Sequence, residues 1–314
     1  MKKVILLLTL TGVIISTVIS QTTDGEEQLR KQIADSTEGW KKGGIITINL
    51  SQTSLTNWAA GGQNAISANG LISVFANYKK GKNLWSNTLD VGYGILKQGK
   101  DADFIKTDDK IDFLSKYGRK AAKHWYYAAL LNFKTQMTAG YNYPNDSVKI
   151  SALFAPAYIL GSFGMDYKPN DDFNAYISPL TSKITIVSDQ DLANLGAFGV
   201  DPAEYDNMGA LITEGKKGRF ELGGYLRLEY RKELMENITV LTKLDLFSNY
   251  LDNPQNIDVG WETLLTLKVN KYISATLTAH LIYDDDIDIA VDTEDDGITD
   301  ETGPRTQFKE VLGI

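Results

Sequence analysis

The chain has 314 residues, of which 43% are hydrophobic and 23% charged, and it contains no cysteine. The missing cysteines exclude disulfides, zinc-thiolate centres, thiol nucleophiles and a lipidated amino-terminal Cys, and no run reaches the roughly 18 consecutive apolar residues of a spanning helix. The formal charge of −8 is local: Asp284 to Glu301 holds ten carboxylates and no Lys or Arg, which leaves 30 acids against 32 bases elsewhere. With no basic groove interleaved with aromatics, nucleic acid is not an expected partner.

Taken in order, the chain opens with Lys2 and Lys3, an apolar core from Val4 to Ile19, and Val18 and Ser20 at the −3 and −1 positions of a cleavage site before Gln21. This pattern predicts a secretory signal peptide over 1–20. Residues 21–43 are mostly polar and are expected to form a periplasmic segment, with a short helix at Glu26 to Ala34.

From Gly44 onward apolar and polar residues alternate with a period of two, in stretches of about ten residues. Strands are predicted near 44–53, 66–79, 83–96, 109–118, 123–137, 153–167, 173–187, 216–231, 237–250, 257–269, 272–283 and 306–314. The alternation is cleanest from Asn237 to Tyr283, where Ile238, Val240, Leu244 and Leu246 share one face and Thr239, Lys243, Asp245 and Asn249 the other. An unbroken apolar face opposite a charged one is the pattern of strands that divide lipid from a polar lumen. The expected fold is all-β: a closed antiparallel transmembrane β-barrel of about twelve strands over 44–314.

The connections support this topology. Those after even strands are short (Lys80 to Lys82, Arg119 to Ala122, Lys168 to Asp172, Lys232 to Glu236, Asn270-Lys271), and those after odd strands are mostly longer, including Thr138 to Ala152, Ser188 to Gly215 and Asp284 to Arg305. Short periplasmic turns opposite long outer loops characterise bacterial barrels, and an even count returns both ends to the periplasm. Tyr78, Trp85, Trp125, Tyr127, Tyr167 and Tyr230 fall near short turns, and Tyr93, Tyr250 and Trp261 near long loops, as two aromatic girdles require.

Three local features break the regularity. Pro179 stands inside the seventh strand and the apolar face changes parity after it, which predicts a bulge. Ser188 to Gly215 carries Leu192, Ala193, Leu195 and the run Gly196 to Val200, enough apolar surface to fold back as a plug or to cover the outer mouth. Trp58-Ala59-Ala60-Gly61-Gly62 is expected to fold inward or against a neighbour, since paired glycines allow positive φ and close approach.

By parity the eighth strand directs Arg219, Glu221, Tyr225, Arg227, Glu229 and Arg231 into the lumen, and its neighbours add Lys243, Asp245, Glu262, Lys268 and His280. Opposite charges on adjacent strands suit cross-strand ion pairs, which either fill and rigidify a narrow barrel or form a constriction that selects solutes by charge. His124, near a short turn, shares that face. The acidic stretch contains Asp292, Glu294 and Asp296 followed by Gly297, a partial calcium loop, but position twelve is Gly303 where a bidentate Glu is required. It predicts at most a weak surface Ca2+ site, and no other cofactor is expected.

Several phrases in order resemble the Bacteroidota family catalogued as domain of unknown function 3078: Trp40 with Gly43-Gly44, Gln52 to Gly62, Tyr93-Gly94, Lys106 to Asp112, Lys134-Thr135-Gln136, Ser178 to Thr181, and Phe308-Lys309-Glu310 with Leu312-Gly313-Ile314. The resemblance spans nearly the whole chain after residue 20 and implies an exported, outer-membrane barrel with no assigned activity and no catalytic residue. Proteins of that kind finish on a longer strand with a terminal aromatic, so the seam between first and last strands is expected to be weak here.

The expected function is an outer-membrane β-barrel, either a narrow or plugged porin-like pore for small polar solutes or a structural barrel, and not an enzyme. Its expected partners are outer-membrane lipid and the barrel-assembly machinery. An outer-membrane hydrolase using His280 with acidic loop residues, and a soluble secreted β-rich binding module, are the alternatives.

Overall fold

The computed structural model describes residues 38–143, 146–268, 274–291 and 301–313. The expected signal peptide, the helix at Glu26 to Ala34, the turn at Asn270-Lys271 and the calcium-loop residues Asp292, Glu294 and Asp296 lie outside the described residues.

Twelve strands form one antiparallel sheet in which sequence neighbours are spatial neighbours throughout. They are β1 (Gly39–Thr53), β2 (Ala65–Lys80), β3 (Asn83–Gln98), β4 (Ile105–Lys120), β5 (Trp125–Thr135), β6 (Ala157–Tyr167), β7 (Phe173–Ile186), β8 (Gly218–Met235), β9 (Ile238–Asn249), β10 (Asp258–Lys268), β11 (Ser274–Tyr283) and β12 (Gln307–Gly313). Among the described residues no backbone ladder joins β1 to β12. Three small two-stranded ribbons, Gly140–Tyr141 with Lys149–Ser151, Glu204–Tyr205 with Leu211–Thr213, and Asp288–Val291 with Glu301–Pro304, decorate the long connections. The one described α-helix, α1 (Gln190–Asn194), lies in the connection from β7 to β8.

Register keeps the two faces of the sheet chemically separate. One row runs Leu228, Leu244, Trp261, Leu281 and Phe308 across β8 to β12, and the adjacent row on the other face runs Glu229, Lys243, Glu262, His280 and Lys309. A one-residue slip in any pair would exchange these sets, so the alternation itself fixes the pairing.

The sheet is strongly curved toward its charged face. Lys183 on β7 and Asp258 on β10 are three strands apart, which in a flat sheet is roughly 14 Å, yet Lys183 Nζ lies 2.7 Å from Asp258 Oδ2. Inside the curve, Ala128, Leu130, Tyr176, Tyr225 and Phe247 form a buried cluster supported by Leu114 and Leu160, linking β4 through β9. A second cluster, Ala155, Val187, Leu192, Ala193 and Val200, seats the β7 to β8 connection against the turn before β6, as its apolar content requires. Leu195 stays 77% exposed and takes no part.

The bulge at Pro179 is present. Phe163 faces Leu180 while Met165 faces Ile177, and Gly223 faces Thr181 while Tyr225 faces Ser178, so β7 carries one extra residue against both neighbours. Ser178 Oγ donates to the carbonyls of Phe163 and Leu180 at 2.8 and 2.9 Å, and accepts from Thr181 Oγ1 at 2.8 Å, satisfying groups the interrupted ladder strands. A Cβ at Gly164 would stand 2.1 Å from the Ile177 carbonyl oxygen, so glycine is required where β6 crosses the bulge.

Three expectations are corrected. The sixth strand begins at Ala157 and not at 153, because Pro156 has no N–H for the ladder and Phe154 has φ 54. The first strand begins at Gly39 and not at 44, with Trp40 ring-to-ring with Tyr78 at 5.1 Å and Trp85 at 5.7 Å. Trp58 to Gly62 does not fold inward: all five are exposed, although Gly61 and Gly62 take positive φ.

Candidate functional site

The concave face carries the chemistry of the molecule. At its centre Tyr225 donates to Asp245 Oδ1 at 2.5 Å, and Arg227 NH1 stands 3.6 Å from the same oxygen. Tyr176 stacks edge-on against Tyr225 with centroids 6.1 Å apart and exchanges a 2.8 Å hydrogen bond with Ser162. Lys116 on β4 donates to both oxygens of Asp166 on β6 at 3.2 and 3.1 Å, and its ammonium lies 5.9 Å from the Tyr176 ring centre. Aromatic faces and paired charges therefore cover the concave face across β4 to β9.

Toward the end where the long connections gather, Lys183 meets three carboxylates: Asp258 at 2.7 Å, Asp284 at 3.2 Å and Glu221 at 3.5 Å. Arg219 NH2 meets Glu221 at 2.8 Å and Asp286 at 2.7 Å. Glu221 is 1% exposed and sits between the two cations. A carboxylate buried this deeply is tolerated only with such partners. Asp258, Asp284 and Asp286 bring oxygens within 4.8 Å of one another, the spacing of a cation-binding group. Lys183 pairs with Asp258 and Asp284 and Arg219 with Asp286, so each of the three already has a cationic partner, with two cations shared among four carboxylates once Glu221 is counted.

Of the residues singled out by parity, Arg219, Glu221, Tyr225, Arg227 and Asp245 are joined in these contacts. Glu229, Lys243, Glu262 and His280 lie in one cross-strand row. Arg231 and Lys268 sit near the short-turn end, their backbone amides bound to the Asp172 and Asn237 carbonyls at 2.7 and 2.8 Å. His280 pairs in register with Glu262 and Lys309, whereas Asp284, Asp285 and Asp286 turn to Lys183, Asn256 and Arg219. The histidine and acidic loop proposed as a hydrolytic pair thus face different partners. His124 Nδ1 is 3.2 Å from the Lys168 carbonyl oxygen at a short turn.

Sequence reasoning missed Lys116, Asp166, Tyr176, Lys183 and Asp258. Lys183 carried a usable signal, since it stands directly opposite Glu221 in the β7 to β8 register once the bulge is counted. Its pairing with Asp258 carried none, because it depends on curvature.

A second site secures the long β7 to β8 connection. Asp189 caps α1 by accepting from Leu192 N at 3.2 Å and is ion-paired with Lys149 of the neighbouring ribbon. The hydrogen bond from Lys149 holds the Asp189 carboxyl below its ordinary range, and Asp189 in turn raises the ammonium.

The family described as "Protein of unknown function (DUF3078)" matches residues 50–141. Among solved structures, the chain is similar to the translocator domain of autotransporter NalP from Neisseria meningitidis, with 11% identity, 85% of this chain and 92% of that chain covered, and a TM-score of 0.36. No curated protein matches the chain.

Proposed function

We propose that this protein is an outer-membrane β-barrel whose sheet closes around an interior filled at mid-height, and that it serves as a narrow, normally occluded pore for small polar solutes. One observation carries this reading: large apolar side chains point away from the charged interior and remain exposed in aligned rows. Phe163 (67% exposed), Leu180 (53%) and Phe220 (56%) are examples, alongside Ile72, Val74, Leu131 and Ile177. Exposed apolar area this continuous is not stable in water, and its fitting neighbour is hydrocarbon.

The connections point the same way. Lys80 to Asn83 and Lys120 to Trp125 turn tightly at one end, while the longer connections after β5, β7 and β11 leave from the other, as short periplasmic turns and long outer loops would. On this reading 1–20 directs export, the barrel-assembly machinery inserts the chain, and outer-membrane lipid is its principal partner. Ion pairs and aromatics inside leave a polar but crowded path, which fits small hydrophilic solutes better than a wide channel.

Folding into liposomes, heat-modifiable electrophoretic migration and planar-bilayer conductance test the proposal together. A barrel migrates faster unheated, floats with vesicles and conducts in rare, small steps. A protein that stays soluble without detergent and ignores vesicles contradicts it.

A further inference from the structure

The short turns are not alike in charge. Lys80 and Lys82 at the β2 to β3 turn and Arg119, Lys120 and Lys123 at the β4 to β5 turn are all exposed. The Lys120 amide donates to the Lys82 carbonyl at 2.7 Å, which holds the two turns side by side. The carboxylate beside them is Glu38, which accepts from the Gly81 amide at 2.8 Å. Among the described residues none of the five cations is joined to a carboxylate. Other turns at this end are mixed in charge: Lys168 pairs with Asp166 at 3.2 Å, and Lys232 shares its turn with Glu233 and Glu236.

The basic turns adjoin a row of rings. Register carries Trp40, Tyr78, Trp85 and Tyr117 across β1 to β4, and Tyr117 follows the inward Lys116, so the row looks outward. Trp40, Trp85 and Tyr117 are 49%, 41% and 44% exposed. One outward step nearer the turns, the same face carries the row Lys80, Asn83, Arg119 and Tyr127. One step the other way stands Lys42, whose ammonium reaches back to 5.8 Å from the Trp40 ring centre. Cations therefore flank the rings on both sides.

Each part suits a membrane surface. Indole and phenol rings settle at the headgroup level of a bilayer. Lysine and arginine lay their apolar stems along hydrocarbon while the charged heads reach polar surroundings. Cations held together without carboxylates draw anionic headgroups, whereas a zwitterionic headgroup brings no net charge to offset them.

We propose that the outward face at the short-turn end of β1 to β5 is a binding surface for anionic phospholipid. Lys80 and Arg119 take the headgroup phosphate, Lys42 supports it from the membrane side, and the rings pack on the glycerol and the upper acyl chains. This rests on the barrel reading above and adds to it a lipid class and a place. Continuity of the basic rim with the lipid-facing belt favours lipid over an acidic protein as the occupant.

The test folds the full chain into phosphatidylcholine vesicles carrying a small share of acyl-brominated lipid, either phosphatidylglycerol or phosphatidylcholine, and reads the quenching of tryptophan fluorescence. Trp40 and Trp85 report on the surface, and titrating the brominated share gives the relative affinity. Lys80→Gln with Arg119→Gln is compared with the parent, with the charge-keeping pair Lys80→Arg and Arg119→Lys, and with Lys232→Gln at another short turn. Each is first checked for heat-modifiable migration and vesicle flotation.

The parent should be quenched more by the anionic lipid, and each cation removed should weaken that preference roughly fivefold. The charge-keeping pair and Lys232→Gln should leave it in place. Parent protein that fails to float with vesicles defeats the barrel reading itself. Parent protein that floats but is quenched equally by the two lipids, or whose preference survives Lys80→Gln with Arg119→Gln, overturns the binding surface and leaves the barrel standing. Equal quenching together with capture of soluble polyglutamate overturns it too, and assigns the patch to an acidic protein.

Discussion

Lys183 donates to Asp258 at 2.7 Å although two whole strands separate theirs in the sheet. That contact exists only if the charged face is rolled inward, and it collects Asp284 and the buried Glu221 around the same ammonium. Replacing Lys183 by Ala should therefore cost about 3 kcal/mol, the penalty for leaving buried carboxylates short of a partner. Lower temperatures for loss of heat-modifiable migration would show it. Lys183→Met with Glu221→Gln should recover part of the loss, because it removes the most buried of the three carboxylates together with the cation.

If the interior is filled by side chains, trimming them should open it. Tyr176 is fully buried and Phe247 5% exposed, and each belongs to the cluster spanning β4 to β9. The double variant Tyr176→Ala, Phe247→Ala is expected to raise single-channel conductance well above the parent in planar bilayers. Unchanged conductance in a folded double variant would place the constriction elsewhere.

A charge placed on the outer face should be penalised by lipid. Leu131 is 45% exposed and points outward in the middle of β5, beside the inward Leu130. Leu131→Arg should reduce folding into liposomes by about 2 to 4 kcal/mol, the penalty near the bilayer midplane. In a water-soluble protein the same exposed position would tolerate Arg at almost no cost. Equilibrium urea titration in vesicles separates the two.

The Lys149 to Asp189 pair predicts a pH window for docking of α1. Asp189 is held below its ordinary value near 3.8, so its contribution is fully present above that value and is lost as pH falls through the lower folded one. Lys149 is raised above 10.5, so its contribution is present below that value and lost as pH rises through the folded one. Protection of the Leu192 amide from hydrogen exchange should persist between and weaken on acidification below about pH 4. Asp189→Asn, which still caps the helix, should flatten that acid limb.

Much of the fold was legible because a period of two is a local property. Twelve alternating stretches became twelve strands, and Pro179 announced its bulge through a missing N–H and a parity change. Boundaries slipped where tertiary contact decided them, as with Trp40 against Tyr78 and Trp85, which extends β1 toward its start. The Gly61-Gly62 pair gave the right backbone conformation but not the burial, since positive φ says nothing about what lies nearby.

The inner face was half legible for the same reason. Parity named Arg219, Glu221, Arg227 and Asp245, which pair with neighbours on their own or adjacent strands. It was blind to Lys183 with Asp258 and to Lys116 with Asp166, whose strands are not adjacent. Those pairings come from curvature, which arises from the whole sheet. Arg219 shows both sides: its direction was readable, and its bond to the Gly199 carbonyl was not.

The chain has no cysteine, so single cysteines can be introduced anywhere without background. Placed at Leu130, Leu131, Ser162, Phe163, Leu180 and Thr181, labelled with a polarity-sensitive fluorophore and folded into liposomes, they measure which face meets hydrocarbon. Leu131, Phe163 and Leu180 should be quenched by nitroxides on lipid chains, and Leu130, Ser162 and Thr181 should not. Equal quenching of both sets by a water-soluble agent, with none from the lipid, would contradict this.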